Sequence, residues 1–473
     1  MRASLAPMLP AFLLVAAAPA PDTVEQAIAS AGPGTRIGLV VVDEDGRELV
    51  AIRPDERFVP ASNTKIFTTA AAFATLETTA PDASGGASVA LEGEDVVLAG
   101  HGDARLSSAP DCVTDCLANL ARAVAARTRT VRDVVGDDTA FPDERWPAGM
   151  SWNNMTGRYG TAISALTLDD NVASVTVSAS RAGTRASVAG DGYYRIDNRV
   201  TTVAAGRTDL SIERTPGSDT LRVTGTLPSA SAPVVLAFGL DDPAHRAAWR
   251  FAALLRAAGV LVTGQVRARH RALTRTDDPV QRGDGFVFHP SEAAPLARLM
   301  PPPLAEDINF TNKHSQNLHA ELLLRRVSAS GGSGSVADGR AAVQAVLTRA
   351  GVPRWRYDFA DGSGMSTYNR VTPHAVVQVL RWTRAQPWGA AWRDTLPVAG
   401  VDGTLQHRFV GTPLAGKLFA KTGTLNAASA ISGFMMAASG RTLTFSAIAN
   451  DMPADASATT ALDHALLAVA AAY

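Results

Sequence analysis

The hydrophobic and polar positions divide the chain into three successive textures. Residues 36–43 (RIGLVVVD) and Glu48–Ile52 are β-branched runs separated by Glu44-Asp45-Gly46-Arg47, a spacing that predicts a β-hairpin. Residues 58–76, with Pro60 near the start and Ala and Thr behind it, predict a helix carrying Ser62 in its first turn. A polar, Gly-rich break at 81–86 marks a domain boundary. From about 87 to 285, short apolar runs at 96–99, 131–136, 172–177, 221–226 and 234–238 alternate with Gly, Asp and Pro turns. This middle stretch is expected to be strand-rich, with one helix at 243–258 ahead of Gly259. After about 286 the mixture returns: helices at 315–327, 336–350 and Pro373–Arg384, and strands at 414–421, 430–437 and 443–450. The apolar run at 461–472 contains Asp463 and His464 and is too short to span a membrane, so it predicts a packed helix.

A chain of 473 residues exceeds one simple core and predicts two or three domains. The net charge of −1 leaves no electrostatic footprint for nucleic acid. Arg2, the apolar residues 11–18 and Ala18-Pro19-Ala20 read as an export signal with a small-residue cleavage site. The protein is therefore expected outside the cytoplasm, in periplasm, cell wall or medium. No Cys follows the apolar run to suggest a lipid anchor, and no later stretch predicts a transmembrane anchor. Cys112 and Cys116 are either a local disulfide or two thiols on one helix face.

One residue type changes the picture. Of 44 basic residues only four are Lys, at 65, 313, 417 and 421; the other 40 are Arg. Arg stays protonated at physiological pH, whereas a Lys amine can be driven toward neutrality by burial and like charge. Lys is thus expected where Arg cannot do the chemistry. Lys65 closes Ser62-Asn63-Thr64-Lys65, in which Ser and Lys three apart share a helix face. A Ser hydroxyl needs such a neighbouring base to become a nucleophile. Ser315-Gln316-Asn317 offers a hydroxyl able to relay a proton and an amide able to hold a carbonyl. Lys421-Thr422-Gly423-Thr424 follows an apolar strand: its cation and hydroxyls suit a terminal carboxylate, and Gly423 admits a substrate backbone.

These S-x-x-K, S-x-N and K-T-G elements, in this order, are those of penicillin-interacting serine enzymes. On them the chain resembles the class C low-molecular-mass penicillin-binding proteins, the D-alanyl-D-alanine carboxypeptidase/endopeptidases. Further segments carry the resemblance: His101-Gly102-Asp103, Gly136-Asp137-Asp138-Thr139, Trp152-Asn153-Asn154-Met155-Thr156, Asp361-Gly362-Ser363-Gly364 and the run from Leu396 to Leu405. The roughly 250 residues between Lys65 and Ser315 look like the two extra domains of this class.

The resemblance implies an α/β (α+β) serine β-lactamase/transpeptidase-like domain, an antiparallel sheet with flanking helices, carrying a large strand-rich insertion. The catalytic domain would comprise residues 21–85 and 286–473, one inserted domain 86–168 and 240–285, and a nested domain 169–239. It implies acyl transfer from peptidoglycan stem peptides: Ser62 attacks the D-Ala-D-Ala carbonyl with Lys65 as base. Ser315 and Lys421 relay a proton to the leaving D-alanine, Asn317 positions the substrate amide, and Thr422 and Thr424 bind the carboxylate. The backbone N–H groups of Ser62 and Thr424 form the oxyanion hole. Penicillin and other β-lactams would acylate Ser62 and stay attached, and no metal or nucleotide cofactor is implied.

The chain departs from the pattern at three positions. Gln316 stands where the family usually has Asp, with the reacting hydroxyl and amide retained. Asn154 stands where the family often has an acid, and Thr367 where it often has Arg. In relatives that acid and base are thought to grip the zwitterionic end of diaminopimelate, so selectivity for that side chain is expected to be weaker here. Two rivals stay open: a β-lactamase, for which no E-x-x-L-N pattern is found, and a catalytically silent wall-binding or sensor protein, against which the intact Ser62/Lys65 pair argues. His289, His314, His319 and His407 read as structural or surface groups, Arg408 as half of an ion pair, and Lys417 as sharing a strand face with Lys421.

Overall fold

The computed structural model describes residues 23–329 and 331–473; the expected export signal lies outside the described residues. The central sheet has five antiparallel strands in the order Leu418–Leu425, Ala428–Met436, Thr442–Asn450, Arg36–Val42, Glu48–Ile52. The expected hairpin is therefore its N-terminal edge. Side chains alternate across a strand, and Arg36–Val42 uses both faces. Ile37, Leu39 and Val41 pack in one core with Leu462, Leu466 and Val469 of the C-terminal helix Thr459–Ala472. Val40 and Val42 pack against Val377 of the helix Pro373–Arg384 on the other side. On this second side a larger core joins Ile66 and Phe67 of the helix Thr64–Thr75 to Leu323 and Leu324 of Asn317–Ala329.

The sequence between these halves folds into two further apolar cores. A five-stranded sheet, in the order Val266–Arg271, Val134–Pro142, Asp95–Ala99, Ser88–Glu92, Ala297–Arg298, is packed by the helices Leu117–Arg127 and Pro243–Ala257. Its strand Val134–Pro142 pairs in parallel with both neighbours. Two three-stranded sheets share a separate core that includes Val175, Val200, Val223 and Phe238. The first of these cores draws its buried residues from 87–168 and 244–260, the second from 173–240. The strand Ala297–Arg298 adds to the sheet from beyond residue 285.

Several elements differ from the sequence expectation. The middle stretch holds a second helix, Leu117–Arg127; Ala dominates it, and Ala carries little periodic contrast. The expected helix 58–76 is three pieces. Phe58 is extended and bridges Val371, residues Ala61–Asn63 form a tight turn, and only Thr64–Thr75 is α-helical. The expected helix 315–327 is also interrupted. A helix Leu304–His314 that the sequence did not suggest ends at Ser315, and the next begins at Asn317. The strand carrying Lys421 runs through the motif to Leu425 rather than stopping before it. Lys417 precedes that strand and is exposed, so it shares no strand face with Lys421. Cys112 and Cys116 form a disulfide.

Candidate active site

Ser62 sits on a turn held from three directions. Ala61 adopts φ +48°, a left-handed conformation costly for a residue with a Cβ. Asn450 accepts from Val59 N–H at 2.7 Å and donates to its carbonyl at 3.1 Å, tying the approach to the central sheet. Asn63 donates to Ser432 Oγ at 2.7 Å, and Thr64 Oγ1 donates to Ala61 O at 2.9 Å. Two glycines press on this turn. A Cβ on Gly423 would lie 2.7 Å from Pro60 O and 3.1 Å from Ser62 N. One on Gly364, at φ +91°, would lie 1.9 Å from Ala61 O. The K-T-G and D-G-S-G segments thus owe their glycines to one close approach, beside the Ser62 N–H.

Lys65 projects from the first turn of Thr64–Thr75 and is fully buried. Its Nζ lies 3.0 Å from Ser62 Oγ, 2.7 Å from Asn317 Oδ1 and 2.6 Å from the Ser363 carbonyl. Burial lowers its pKa to about 7, against the pull of the Asp361 and Glu321 carboxylates. A neutral amine has two hydrogens and one lone pair. With the hydrogens given to Asn317 and Ser363, the lone pair is left facing the Ser62 hydroxyl.

The carboxylates around Lys65 also build the loop that receives it. Glu321 accepts the backbone N–H groups of Gly362 at 3.0 Å and Ser363 at 2.9 Å. Asp361 accepts from Gly364 N, Ser366 N and Asn369 Nδ2 at 2.6 to 2.9 Å. Burial and the Glu321 charge push the Asp361 carboxyl up.

Ser315 caps the helix Leu304–His314 in the left-handed conformation, φ 58° and ψ 38°, which carries the chain sharply into Asn317–Ala329. Lys421, also fully buried, donates to Ser315 Oγ at 3.0 Å and to Thr422 O at 2.9 Å. Burial, helped by the nearby Lys65 charge, holds its pKa well below that of a free Lys. Asn317 donates one of its two amide N–H groups to Tyr159 O at 3.0 Å, a contact with the inserted chain.

Ser62, Ser315, Asn317, Thr422, Thr424 and Asn154 line one cleft of about 480 Å³. The size suits a short peptide. Thr367 is not among the lining residues; its hydroxyl donates to Gly149 O at 3.0 Å. Thr404, which shares a 2.7 Å hydrogen bond with the Thr422 hydroxyl, and Tyr159 and His314 also line the cleft. The sequence reading gave these three no part in the site, and it missed Glu321 entirely. The D-G-S-G segment and the run through Thr404 were the available signals. Lys313 lies behind the site, donating to Leu396 O at 2.7 Å and pairing with Asp402 at 2.6 Å. His319 is structural, held between Asp307 at 2.6 Å and Asp170 at 2.9 Å. Arg408 pairs with Asp463.

An antiparallel sheet flanked by helices, with Ser and Lys at one helix start facing a K-T-G strand, is the serine β-lactamase/transpeptidase-like fold. The sequence pattern of the D-Ala-D-Ala carboxypeptidase 3 (S13) family matches residues 22–473. The chain belongs to that family and is a serine-type D-Ala-D-Ala carboxypeptidase of the low-molecular-mass penicillin-binding class. It is 36% identical over 448 residues to a D-alanyl-D-alanine carboxypeptidase of Actinomadura sp. (strain R39), an alignment covering 88% of this chain and 78% of that one. It is 25% identical over 436 residues to penicillin-sensitive carboxypeptidase A of Dictyostelium discoideum, covering 84% and 79%. Penicillin-binding protein 4 of Haemophilus influenzae superposes with a TM-score of 0.79 at 20% identity, covering 93% and 97%, and shares the fold.

Proposed function

We propose that the protein trims peptidoglycan stem peptides outside the cytoplasm through a Ser62 acyl-enzyme. The observation that carries this reading is the buried Lys65 amine, 3.0 Å from Ser62 Oγ with its other two positions taken. Neutral Lys65 removes the Ser62 proton as Oγ attacks the carbonyl between the two D-alanines. The N–H groups of Ser62 and Thr424 receive the developing oxyanion. The C–N bond breaks, and Ser315, held by Lys421, passes a proton to the departing amine. Thr422 and Thr424 bind the terminal carboxylate, and Asn317 orients the substrate amide. Water then releases the shortened peptide. A β-lactam carbonyl enters the same position and acylates Ser62.

Neither Asn154 nor Thr367 carries a charge, and the Thr367 hydroxyl is engaged by Gly149. The enzyme is accordingly less selective for free diaminopimelate. Comparing D-alanine release from diaminopimelate- and lysine-type pentapeptides checks this; a strong preference for free diaminopimelate would sink it. Among the described residues no helix is long and apolar enough to cross a membrane. The primary test is labelling of mature protein by a fluorescent penicillin, beside Ser62→Ala. A stable label on the wild type and none on the variant is expected. A label that persists in Ser62→Ala refutes the assignment, and rapid nitrocefin turnover would favour a β-lactamase instead.

A further inference from the structure

Lys313 and the run 396–405 carry no step of the reaction above, yet they meet beside the Thr422 hydroxyl. Thr404 is exposed on the cleft wall in the short turn Gly403–Leu405, and its hydroxyl oxygen lies 2.7 Å from that of Thr422. A hydroxyl has one hydrogen and two lone pairs. With the Thr422 hydrogen given to a substrate carboxylate, the 2.7 Å contact must be a donation from Thr404 to Thr422. That donation fixes the Thr422 rotor and keeps its hydrogen free for the substrate. It also polarises the Thr422 O–H, which strengthens its bond to an anion.

The turn is built to hold this donor in place. Asp402 accepts from Val398 N at 2.8 Å through one oxygen and from Lys313 Nζ at 2.6 Å through the other. Lys313 gives another hydrogen to Leu396 O at 2.7 Å. Gly403 adopts φ +56°, and a Cβ there would lie 2.7 Å from Lys313 O, so the turn rests on the backbone of the helix Leu304–His314. Ala420 N donates to Pro397 O, and Ala399 N to Leu418 O, each at 3.0 Å. These bonds join the run to the strand that carries Thr422. Thr404 is therefore ordered before any ligand arrives, and binding need not meet the entropy of ordering it.

We propose that Thr404 is a specificity-determining positioning residue, which orients the Thr422 hydroxyl toward a terminal carboxylate and so makes the site favour ligands that carry one. The inference rests on the assignment of that carboxylate to Thr422 above. The contact exists in the ground state as in the transition state, so its loss falls on KM more than on kcat.

Thr404→Val keeps the shape and removes the hydroxyl, whereas Thr404→Ser keeps the hydroxyl. Both, with Thr422→Val, are compared with the mature wild type in D-alanine release from a pentapeptide. Acylation is followed with benzylpenicillin and with its methyl ester, which lacks the free carboxylate. In Thr404→Val the pentapeptide KM is expected to rise at least fivefold with a smaller change in kcat, and the preference for penicillin over its ester to fall at least fivefold. Thr404→Ser is expected to restore both to within threefold of wild type. The inference is overturned if Thr404→Val lowers kcat and leaves KM, if penicillin and its ester slow equally, or if Thr404→Ser fails to restore. When one of these occurs and Thr422→Val still removes the preference, the carboxylate assignment survives and only the role of Thr404 falls. If Thr422→Val keeps the full preference, both fall.

Discussion

The protonation state of Lys65 offers the sharpest test of the mechanism. Burial brings its pKa from 10.5 to about 7. At pH 7 about half of the molecules then hold a neutral amine, against about one in 3,000 for an unshifted Lys. Acylation by penicillin should rise about tenfold per pH unit below 7 and level off above about pH 8. Lys65→Arg keeps charge and donors but stays protonated, so acylation should fall by about 10²–10⁴, the usual worth of a general base. Stopped-flow acylation between pH 5.5 and 9 measures both. A flat wild-type profile, or an Arg variant within tenfold of wild type, refutes the base assignment.

The same shift has a cost in stability. The folded pKa lies below the unfolded one, so the folded state binds fewer protons and stability rises with pH between about 7 and 10.5. Below pH 7 the penalty reaches at most about 5 kcal/mol, at 1.36 kcal/mol per pH unit. Lys65→Met should therefore gain stability relative to wild type at pH 6, less the hydrogen bonds lost at Asn317 and Ser363. The gain should shrink toward pH 10 in urea titrations.

Other consequences can be checked independently. Gly364→Ala meets Ala61 O at 1.9 Å in a left-handed conformation and should lose about 2–5 kcal/mol by urea unfolding; a loss under 1 kcal/mol would contradict the close approach. Gly423→Ala pushes on Pro60 O and Ser62 N, and should slow acylation at least tenfold with a smaller loss of stability than Gly364→Ala. In His319, burial pulls the pKa down but the Asp307 and Asp170 carboxylates reverse this and raise it to about 10. Because the folded value is raised, its stabilisation is full below about pH 6.5 and is lost as pH rises to about 10. The stability difference between wild type and His319→Gln should shrink across that window, and a constant difference would exclude a charged His319. Reducing the Cys112–Cys116 bridge opens a loop of only about five residues, for which chain entropy gives about 2 kcal/mol. Penicillin acylation should be unchanged by that reduction.

Much of the site was legible because its chemistry is written in short, local strings. Ser62 and Lys65 are one helical turn apart, Ser315 and Asn317 two residues apart, and Lys421 to Thr424 are consecutive. The scarcity of Lys in a chain rich in Arg singled out the positions where an amine is needed. The hairpin and the helix Pro373–Arg384 were legible too, since alternation and capping are properties of neighbouring residues. The helices Leu117–Arg127 and Leu304–His314 were not, the first for want of contrast among alanines and the second because Ser315 breaks the run by backbone conformation alone.

What the sequence determined by itself is therefore the inventory: which groups can act, in which order, and which family pattern they follow. Tertiary structure decided how they act. Residues 62, 317 and 421 meet because strands from the two ends of the chain pair in one sheet, and the packing around that sheet buries both lysines. A pKa near 7 for Lys65 and the role of Glu321 in holding the 362–363 backbone follow from that burial. Desolvation and charge act through space, and no local pattern of residues records them.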